Sequence, residues 1–168
     1  GKDPLKELEQ ACRKKGMKFG FYYSPEDWTH PACHKDNHDP VYNNFYLQQM
    51  TELLTNYGDI HSVWFDGCYG PDWKDTPQKV AKLIRKKQPK ALINDRGGFK
   101  GDYYTTEHSI GPRNTKGTWE TCQTTSHGTW GYTVHSQSKP FDNLLEMAIY
   151  TWGRDGNFLL NMGPKGDG

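Results

Sequence analysis

A single carboxylate stands at the end of an apolar strand-like run in this sequence. Asp66 follows residues 61–65 and precedes Gly67, whose missing side chain allows the backbone to turn away from a bound ligand. In parallel α/β folds, polar residues at the carboxyl ends of the strands commonly build the active site. Asp66 is therefore the first candidate for chemistry, and a loop-capping aspartate is the alternative interpretation.

Two glutamates lie farther along, among aromatic residues. Glu107 ends the segment Tyr103-Tyr104-Thr105-Thr106-Glu107, and Glu120 directly follows Trp119. A glycosidase needs two carboxyl groups, one ionised and one protonated, and a retaining glycosidase holds them about 5–5.5 Å apart. Asp66 with either glutamate would supply this pair, whereas an ordinary ion pair is the alternative for each glutamate.

The aromatic content points to the same chemistry. Aromatic residues make up 14% of the chain and include ten Tyr and six Trp. Their rings stack on the C–H faces of sugars while Tyr and Trp tips hydrogen-bond hydroxyls, although some must simply fill the core. Arg96 follows a predicted strand and would offer a rigid guanidinium fork to sugar hydroxyls or to a carboxylate, unless it forms a structural ion pair.

A histidine-rich loop offers a different chemistry. His30, His34 and His38 recur every four residues beside Cys33, and they would bind zinc if the loop were helical. Pro31 and the neighbouring Asp, Asn and Pro residues disfavour a regular helix. We therefore expect no metal and no cofactor, and a zinc-dependent hydrolase is the alternative.

The bulk composition excludes other functions. Lys and Arg number 21 against 20 Asp and Glu, so the net charge is close to zero and we expect no nucleic-acid partner. No apolar run approaches the roughly twenty residues of a membrane span. The four cysteines show no C-x-x-C spacing, and the chain begins with Gly1, so the residues alone leave the cellular compartment open.

Helix and strand patterns alternate along the chain. Helices are predicted near residues 4–15, 46–57, 76–88 and 144–152, and strands near 18–23, 61–66, 91–94 and 157–161, the last of them buried. Residues 24–40 form a polar loop, and residues 97–139 are rich in Gly, Thr and aromatics, with short strand candidates near 103–107 and 119–122. This order is typical of a parallel α/β fold.

The length bounds the architecture. A complete (β/α)₈ barrel typically takes about 250 residues, and this chain has 168. We predict a single domain over residues 1–168 that forms the C-terminal portion of a TIM-like barrel, with its earliest strands missing. A flavodoxin-like domain is the alternative, but residues 97–139 are hard to place in it.

The sequence resembles the α-L-fucosidases of glycoside hydrolase family 29 in seven segments that run nearly end to end. The segments are Gly16-Met17-Lys18-Phe19-Gly20-Phe21-Tyr22-Tyr23-Ser24 with Asp27-Trp28; Glu52-Leu53-Leu54-Thr55-Asn56-Tyr57-Gly58; Val63-Trp64-Phe65-Asp66-Gly67; Asn94-Asp95-Arg96; Trp119-Glu120-Thr121-Cys122; Trp130-Gly131-Tyr132; and Gly156-Asn157-Phe158-Leu159-Leu160-Asn161-Met162-Gly163-Pro164. Their shared order makes the resemblance specific.

The resemblance implies a retaining mechanism on a (β/α)₈-like barrel, usually followed by a β-sandwich domain. By position, Asp66 corresponds to the nucleophile and Glu107 to the acid/base, with Glu120 as the alternative. The resemblance also implies four sugar-binding residues. Tyr23 corresponds to a strand-end tyrosine and Trp64 to the tryptophan two residues before the nucleophile. Arg96 corresponds to the sugar-binding arginine, and Trp130 to the aromatic that packs on the fucose methyl group.

The implied substrate is a fucosylated oligosaccharide or glycoconjugate, from which terminal α-L-fucose is released. The segments Asn56-Tyr57-Gly58 and Trp64-Phe65-Asp66-Gly67 resemble the branch that favours α-1,3/1,4 linkages. Family members also carry histidines on earlier strands, and none precedes Gly1, so we expect the segment alone to be weakly active or inactive. The family suggests a secreted, periplasmic or lysosomal location, and a non-catalytic carbohydrate-binding barrel is a further alternative.

Overall fold

The computed structural model describes residues 1–33, 40–67, 75–111 and 117–167, and these contain four helices and six strands. In chain order they are α1 Pro4–Lys14, β1 Gly20–Tyr23, α2 Pro40–Asn56, β2 Ser62–Phe65, α3 Thr76–Lys87, β3 Leu92–Ile93, β4 Tyr104–Glu107, β5 Trp119–Thr124, α4 Phe141–Trp152 and β6 Gly156–Asn161. The predicted elements are present, and α2 begins earlier than its apolar stripe suggested, at a proline suited to a first helical position.

The strands form two parallel sheets of three strands each, with orders β1-β2-β3 and β4-β5-β6. The predicted parallel α/β class is confirmed. The chain divides into two compact units, Gly1–Asp102 and Tyr103–Gly168, and each contains one of the sheets. Within the described ranges, no helix is long and apolar enough to cross a membrane.

The first unit packs its helices against one face of its sheet. The side chains of Phe21, Tyr23, Val63, Phe65 and Ile93 alternate onto this face and are buried. The ring of Tyr23 stacks on Tyr46 of α2 at 5.3 Å between centroids. The opposite face carries Tyr22, Trp64 and Leu92, which are exposed or half-buried.

The second unit is built around β5, whose six residues are all buried. The ring of Trp119 fits between Gly111 and Gly156, because a Cβ on either glycine would lie within 2.7 Å of ring atoms. The last strand, β6, was predicted to be buried, and that prediction is wrong: its residues are half-buried or exposed. β6 is the edge of its sheet, and the buried central strand is β5.

Candidate active site

Asp66 lies directly after β2, as predicted, with its side chain one-third exposed (33%). Its backbone N–H donates to the Tyr23 carbonyl at 3.0 Å, so the parallel pairing continues one residue beyond the strand. Gly67 then adopts a φ of +95°, a conformation that other residues rarely take. The Asp66 carboxylate therefore lies at the end of the sheet, one residue before this glycine.

Among the described residues, donors from Tyr22 and Arg96 hold the Asp66 carboxylate, one on each oxygen. The Tyr22 hydroxyl donates to Oδ2 at 2.9 Å, and Nη1 of Arg96 donates to Oδ1 at 3.2 Å. The Arg96 side chain is only 11% exposed, so its charge is poorly screened by water. Both contacts fix the direction in which the Asp66 oxygens point.

The Trp64 ring contacts both residues that donate to the carboxylate. Its ring stacks on Tyr22, its partner across the β1–β2 pair, with centroids 5.8 Å apart. The Arg96 guanidinium lies 4.7 Å from the Trp64 ring centroid, within the range of a cation–π contact. Tyr22, Trp64, Asp66 and Arg96 thus form one connected group, the Asp66 cluster.

Asn94 positions the Arg96 end of this cluster. Its side-chain oxygen accepts from the Phe65 N–H and its amide nitrogen donates to the Phe65 carbonyl, both at 2.8 Å. The amide therefore imitates a neighbouring strand at the point where β3 has ended. This contact is fully buried, and it fixes the backbone that leads into Asp66 and Arg96.

The structure separates the two adjacent tyrosines of β1. Tyr23, the predicted sugar-binding residue, lies in the core, where its hydroxyl donates to Oε1 of Gln49 at 2.7 Å and burial raises its pKa above the ordinary value. The hydroxyl in contact with Asp66 belongs to Tyr22, which the sequence interpretation missed. The alternation of Phe19, Phe21 and Tyr23 was the available signal, because it places Tyr22 on the opposite face.

A cavity of about 880 Å³ opens beside Asp66. Its lining includes Tyr22, Gln49, and Ser24 and residues 26–29 of the loop that follows β1. This volume lies within the range of about 300–1,000 Å³ found for small-molecule sites. The first unit therefore combines a fixed carboxylate with space for a ligand.

The histidine-rich loop has a structural role where it is described. The His30 ring packs against Tyr42 and Phe45, at 5.1 and 4.6 Å between centroids, and its Nδ1 accepts from the Ala32 N–H at 3.2 Å. His34 and His38 lie outside the described residues. Among residues 1–33, 40–67, 75–111 and 117–167, no three His, Cys, Asp or Glu side chains are grouped so as to hold a metal ion.

In the second unit, Glu107 and Trp130 are connected through His108. Glu107 ends β4 with its side chain 38% exposed, and its Oε1 lies 4.0 Å from Nε2 of His108. The His108 ring packs on Trp130 at 4.8 Å between centroids. The Trp130 carbonyl accepts from Nδ2 of Asn161, at the end of β6, at 2.7 Å.

Glu120, the alternative acid, is in a different environment. It lies within β5, is only 7% exposed, and its Oε2 accepts from Nδ2 of Asn157 on the neighbouring strand at 2.7 Å. Glu120 therefore has a cross-strand role inside the sheet, whereas Glu107 lies at a strand end where solvent reaches it. Of the predicted site residues, Trp64, Asp66 and Arg96 come together in the first unit, and Glu107 and Trp130 in the second.

Comparisons with known proteins agree on one family. The family model described as alpha-L-fucosidase matches residues 1–168. Alpha-L-fucosidase 1 of Arabidopsis thaliana is 32% identical over 196 residues, which cover 99% of this chain and 38% of that protein. Human plasma alpha-L-fucosidase is 30% identical over 187 residues, which cover 99% of this chain and 40% of that protein.

Solved structures agree with the sequence matches. Alpha-L-fucosidase isoenzyme 1 from Paenibacillus thiaminolyticus superposes with a TM-score of 0.86 at 32% identity, over 98% of this chain and 48% of that one. AlfC from Lactobacillus casei, an alpha-L-fucosidase solved in complex with its α-L-fucose product, gives 0.83 at 29% identity, over 96% and 58%. The chain thus spans roughly 40–60% of the length of these relatives.

Proposed function

The chain belongs to the α-L-fucosidase family, and we propose that the protein containing it hydrolyses terminal α-L-fucose from fucosylated glycans. One observation carries the proposal: the Asp66 carboxylate is held between Tyr22 and Arg96, beside a cavity of small-molecule size. An ionised, oriented carboxylate open to a ligand is the nucleophile that a retaining glycosidase needs.

The proposed reaction is a double displacement. In the first step an Asp66 oxygen bonds to the anomeric carbon while Glu107 protonates the departing glycosidic oxygen, so that the C–O bond breaks and a fucosyl ester forms. In the second step Glu107 removes a proton from water, the water oxygen bonds to the anomeric carbon, and the ester bond breaks. Asp66 is regenerated as a carboxylate, and the configuration of the sugar is retained.

The other residues of the cluster bind and orient. Arg96 and Tyr22 hold the carboxylate through its two oxygens, which limits the rotation of the nucleophile before attack. Trp64 offers an aromatic face beside the nucleophile, and Trp130 is proposed to pack on the fucose methyl group. The sequence resemblance assigns Tyr23 a sugar contact, and the geometry favours Tyr22 for that role.

Glu107 is favoured over Glu120 as the acid/base because of accessibility. Proton transfer requires the carboxyl group to come within hydrogen-bond reach of the departing oxygen. Glu107 is at a strand end and partly exposed, whereas Glu120 lies within a buried strand and accepts a hydrogen bond from Asn157. A sugar would therefore approach Glu107 without displacing a strand.

We propose that residues 1–168 form the C-terminal portion of a TIM-like barrel, completed by further barrel sequence and a β-sandwich domain. In the first unit, helices cover one face of a parallel sheet and the catalytic candidates follow its strands, which is the arrangement of a barrel wall. The exposed face that bears Tyr22, Trp64 and Leu92 would then line the barrel interior. A structure of the full-length protein tests this directly, because a sheet whose Tyr22 and Trp64 face remained in solvent would contradict it.

The linkage proposed is α-1,3 or α-1,4. It rests only on the resemblance of the segments at Asn56 and Trp64 to the family branch that favours these linkages. In the first of these segments, Gly58 lies in the turn just after α2 and adopts a φ of +67°, which indicates a structural role. Rates of fucose release from α-1,3-, α-1,4- and α-1,6-linked disaccharides test the proposal. Faster cleavage of the α-1,6 isomer would contradict it.

Replacing the two carboxyl groups tests the mechanism in the full-length protein. We expect Asp66→Asn to lower kcat on 4-nitrophenyl α-L-fucoside at least about a thousandfold, because the nucleophile is removed. Asp75→Asn, which alters an exposed carboxylate paired with Lys79, is the matched control and keeps the parent rate. Full activity in Asp66→Asn would remove Asp66 from the mechanism.

Azide separates the two roles. In Asp66→Ala, an azide ion takes the place of the missing nucleophile and attacks the face of the sugar opposite the leaving group. The expected product is therefore β-fucosyl azide. Glu107→Ala is expected to yield α-fucosyl azide, because Asp66 still forms the ester and azide replaces the activated water. If azide rescues Glu120→Ala and does not rescue Glu107→Ala, the acid/base role belongs to Glu120 in place of Glu107.

A further inference from the structure

We propose that the loop of residues 24–29 forms a subsite for the sugar to which fucose is attached, with Trp28 as its stacking surface. The inference rests on the proposed function, since it places a sugar on the far side of the bond that Asp66 would break. It adds a specificity-determining residue to the site.

The loop lies on the correct side of Asp66. The sheet order is β1-β2-β3, and Asp66 follows the central strand β2. Arg96 lies beyond β3, on one side of Asp66, whereas residues 24–29 follow β1 on the other side. Fucose bound over Trp64 and Arg96 would leave the cavity that this loop lines for the sugar to which fucose is attached.

Trp28 presents an unusually open ring to this cavity. Its side chain lines the cavity and is 77% exposed, although an indole gains free energy when its apolar surface is buried. Single exposed aromatics are common on protein surfaces and need no explanation by themselves. Here the exposed ring shares a cavity with the proposed nucleophile, and a second sugar would cover it by stacking.

The backbone of the loop is fixed before any ligand arrives. The buried Tyr42 hydroxyl accepts from the Asp27 N–H at 2.6 Å and donates to the Pro25 carbonyl. The Asp27 carboxylate accepts from the Thr29 hydroxyl and N–H, at 2.6 and 2.9 Å, and these bonds hold its pKa below the ordinary value. A fixed platform binds at a lower entropic cost than a mobile one.

Glu26 gives the subsite a polar edge. Its Oε2 lies 3.5 Å from the Trp28 indole nitrogen, at the outer limit of a hydrogen bond. The carboxylate therefore retains most of its capacity to accept from sugar hydroxyls. An aromatic face with an acceptor beside it matches a pyranose ring, which has an apolar face and a hydroxyl rim.

Two substrates with the same fucosyl group and different leaving groups test the inference in the full-length protein. α-L-Fucosyl fluoride has no second sugar to stack on Trp28. The comparison substrate is whichever fucosyl-N-acetylglucosamine disaccharide the parent enzyme cleaves fastest. We expect Trp28→Ala to lower kcat/KM on the disaccharide about tenfold, the scale of one lost aromatic contact, and to change it less than about twofold on the fluoride.

Two further variants make the test specific. Trp28→Phe keeps an aromatic face and is expected to recover most of the disaccharide activity. Trp152→Ala removes another exposed indole, at the end of α4, and is expected to leave both substrates unaffected. The rate on the fluoride also reports whether the active site of each variant is folded.

Three outcomes would count against the inference or its premise. Equal losses on both substrates would place Trp28 in the fucose site or in the support of the loop, and would overturn the subsite. Unchanged rates on both substrates would also overturn it. If the parent enzyme releases no fluoride, the proposed function itself fails, and this result is distinct from the other two.

Discussion

At the scale of single residues, Asp66 accepts a hydrogen bond on each carboxylate oxygen, and the two donors differ in kind. Tyr22 is neutral and reaches the carboxylate from the neighbouring strand, whereas Arg96 brings a full charge from beyond β3. The proposed nucleophile is therefore held by groups from two other segments of the chain. Its orientation depends on the register of the sheet as well as on its own sequence position.

The first prediction compares Tyr22→Phe with Tyr23→Phe. The first change keeps the ring on Trp64 but removes the donor to Asp66, and hydrogen bonds to charged groups contribute about 1.5–3 kcal/mol, so we expect kcat to fall about 10- to 100-fold. The second change removes a hydroxyl that contacts Gln49, and kcat should stay near the parent value. Steady-state kinetics on 4-nitrophenyl α-L-fucoside measure both.

The reverse order of these effects would restore Tyr23 as the sugar-binding tyrosine. Either variant is checked first by thermal unfolding, because Tyr23 is buried and loss of its hydroxyl leaves Gln49 without that donor. A fall in kcat that follows the fall in stability would indicate a folding effect.

The sequence predicted the location of a single residue correctly where that residue directly follows a strand. Asp66 and Arg96 follow apolar runs, and polar residues at such points are brought together by any parallel sheet. The choice between Tyr22 and Tyr23 required the facing direction of β1, which the odd-numbered aromatics indicate. Gln49 and Tyr42, whose contacts join α2 to β1 and its loop, had no signal because such contacts depend on tertiary packing.

At the scale of elements, a cluster of charges ties α1 to the end of α2. Glu9, which is buried, accepts from the Arg13 side chain and lies 3.0 Å from Nζ of Lys6. Arg13 also donates to the carbonyls of Tyr57 and Asp59, at 3.0 and 2.8 Å, on either side of Gly58. The Glu9 carboxylate therefore orients the arginine that closes the turn after α2.

The second prediction concerns stability against pH. Hydrogen bonds from Arg13 and Lys6 hold the pKa of Glu9 below its ordinary value of 4.5. A carboxyl group whose pKa is lower in the folded state contributes stability above 4.5, and this contribution is lost as pH falls through the folded value. We expect Glu9→Gln to lower stability at pH 7 and to flatten the acid limb of the curve below 4.5.

Urea unfolding across this pH range measures the effect, with Glu7→Gln as the control. Glu7 is an exposed carboxylate on the same helix, so its replacement should leave the acid limb unchanged. Parallel curves for Glu9→Gln and the parent would show that the Arg13 and Lys6 contacts do not stabilise the fold.

Elements were predicted well where apolar periodicity was strong. The stripes Leu5 to Cys12 and Tyr46 to Tyr57 identified α1 and α2, because helical spacing is visible in the sequence alone. The burial of β6 was mispredicted since an apolar run such as Phe158-Leu159-Leu160 does not reveal whether a strand is central or at an edge. That distinction depends on which other strands pair with it.

At the scale of the whole molecule, the chain contains two compact units, each with its own parallel sheet. Alternation of helices and strands predicted the parallel class, because parallel strands need crossover connections. The division into two sheets of three strands was not predicted. Sequence alternation fixes the order of elements along the chain, and it does not fix which strands become neighbours.

The third prediction is that residues 1–168 alone release fucose far more slowly than the full-length protein. The exposed face bearing Tyr22, Trp64 and Leu92 would be covered in a complete barrel, and sugar contacts from other strands would be added. We expect at least a hundredfold lower kcat/KM, about 2.7 kcal/mol of transition-state stabilisation. Purified segment and full-length protein are compared on 4-nitrophenyl α-L-fucoside, with circular dichroism confirming that both are folded.

Equal rates for the two proteins would contradict this prediction and would show that the segment is catalytically self-sufficient. A slow but measurable rate that is lost in Asp66→Asn would indicate that the nucleophile already functions within the segment.

The attachment of residues 24–29 through Tyr42 has an evolutionary consequence. Tyr42, Asp27 and Thr29 hold the backbone of this loop, so the side chains at positions 26 and 28 contribute little to its folding. Mutations there could accumulate without disturbing the proposed catalytic residues. Descendants of one ancestor would then diverge in the sugar that carries the fucose, while the bond proposed to be broken stays the same.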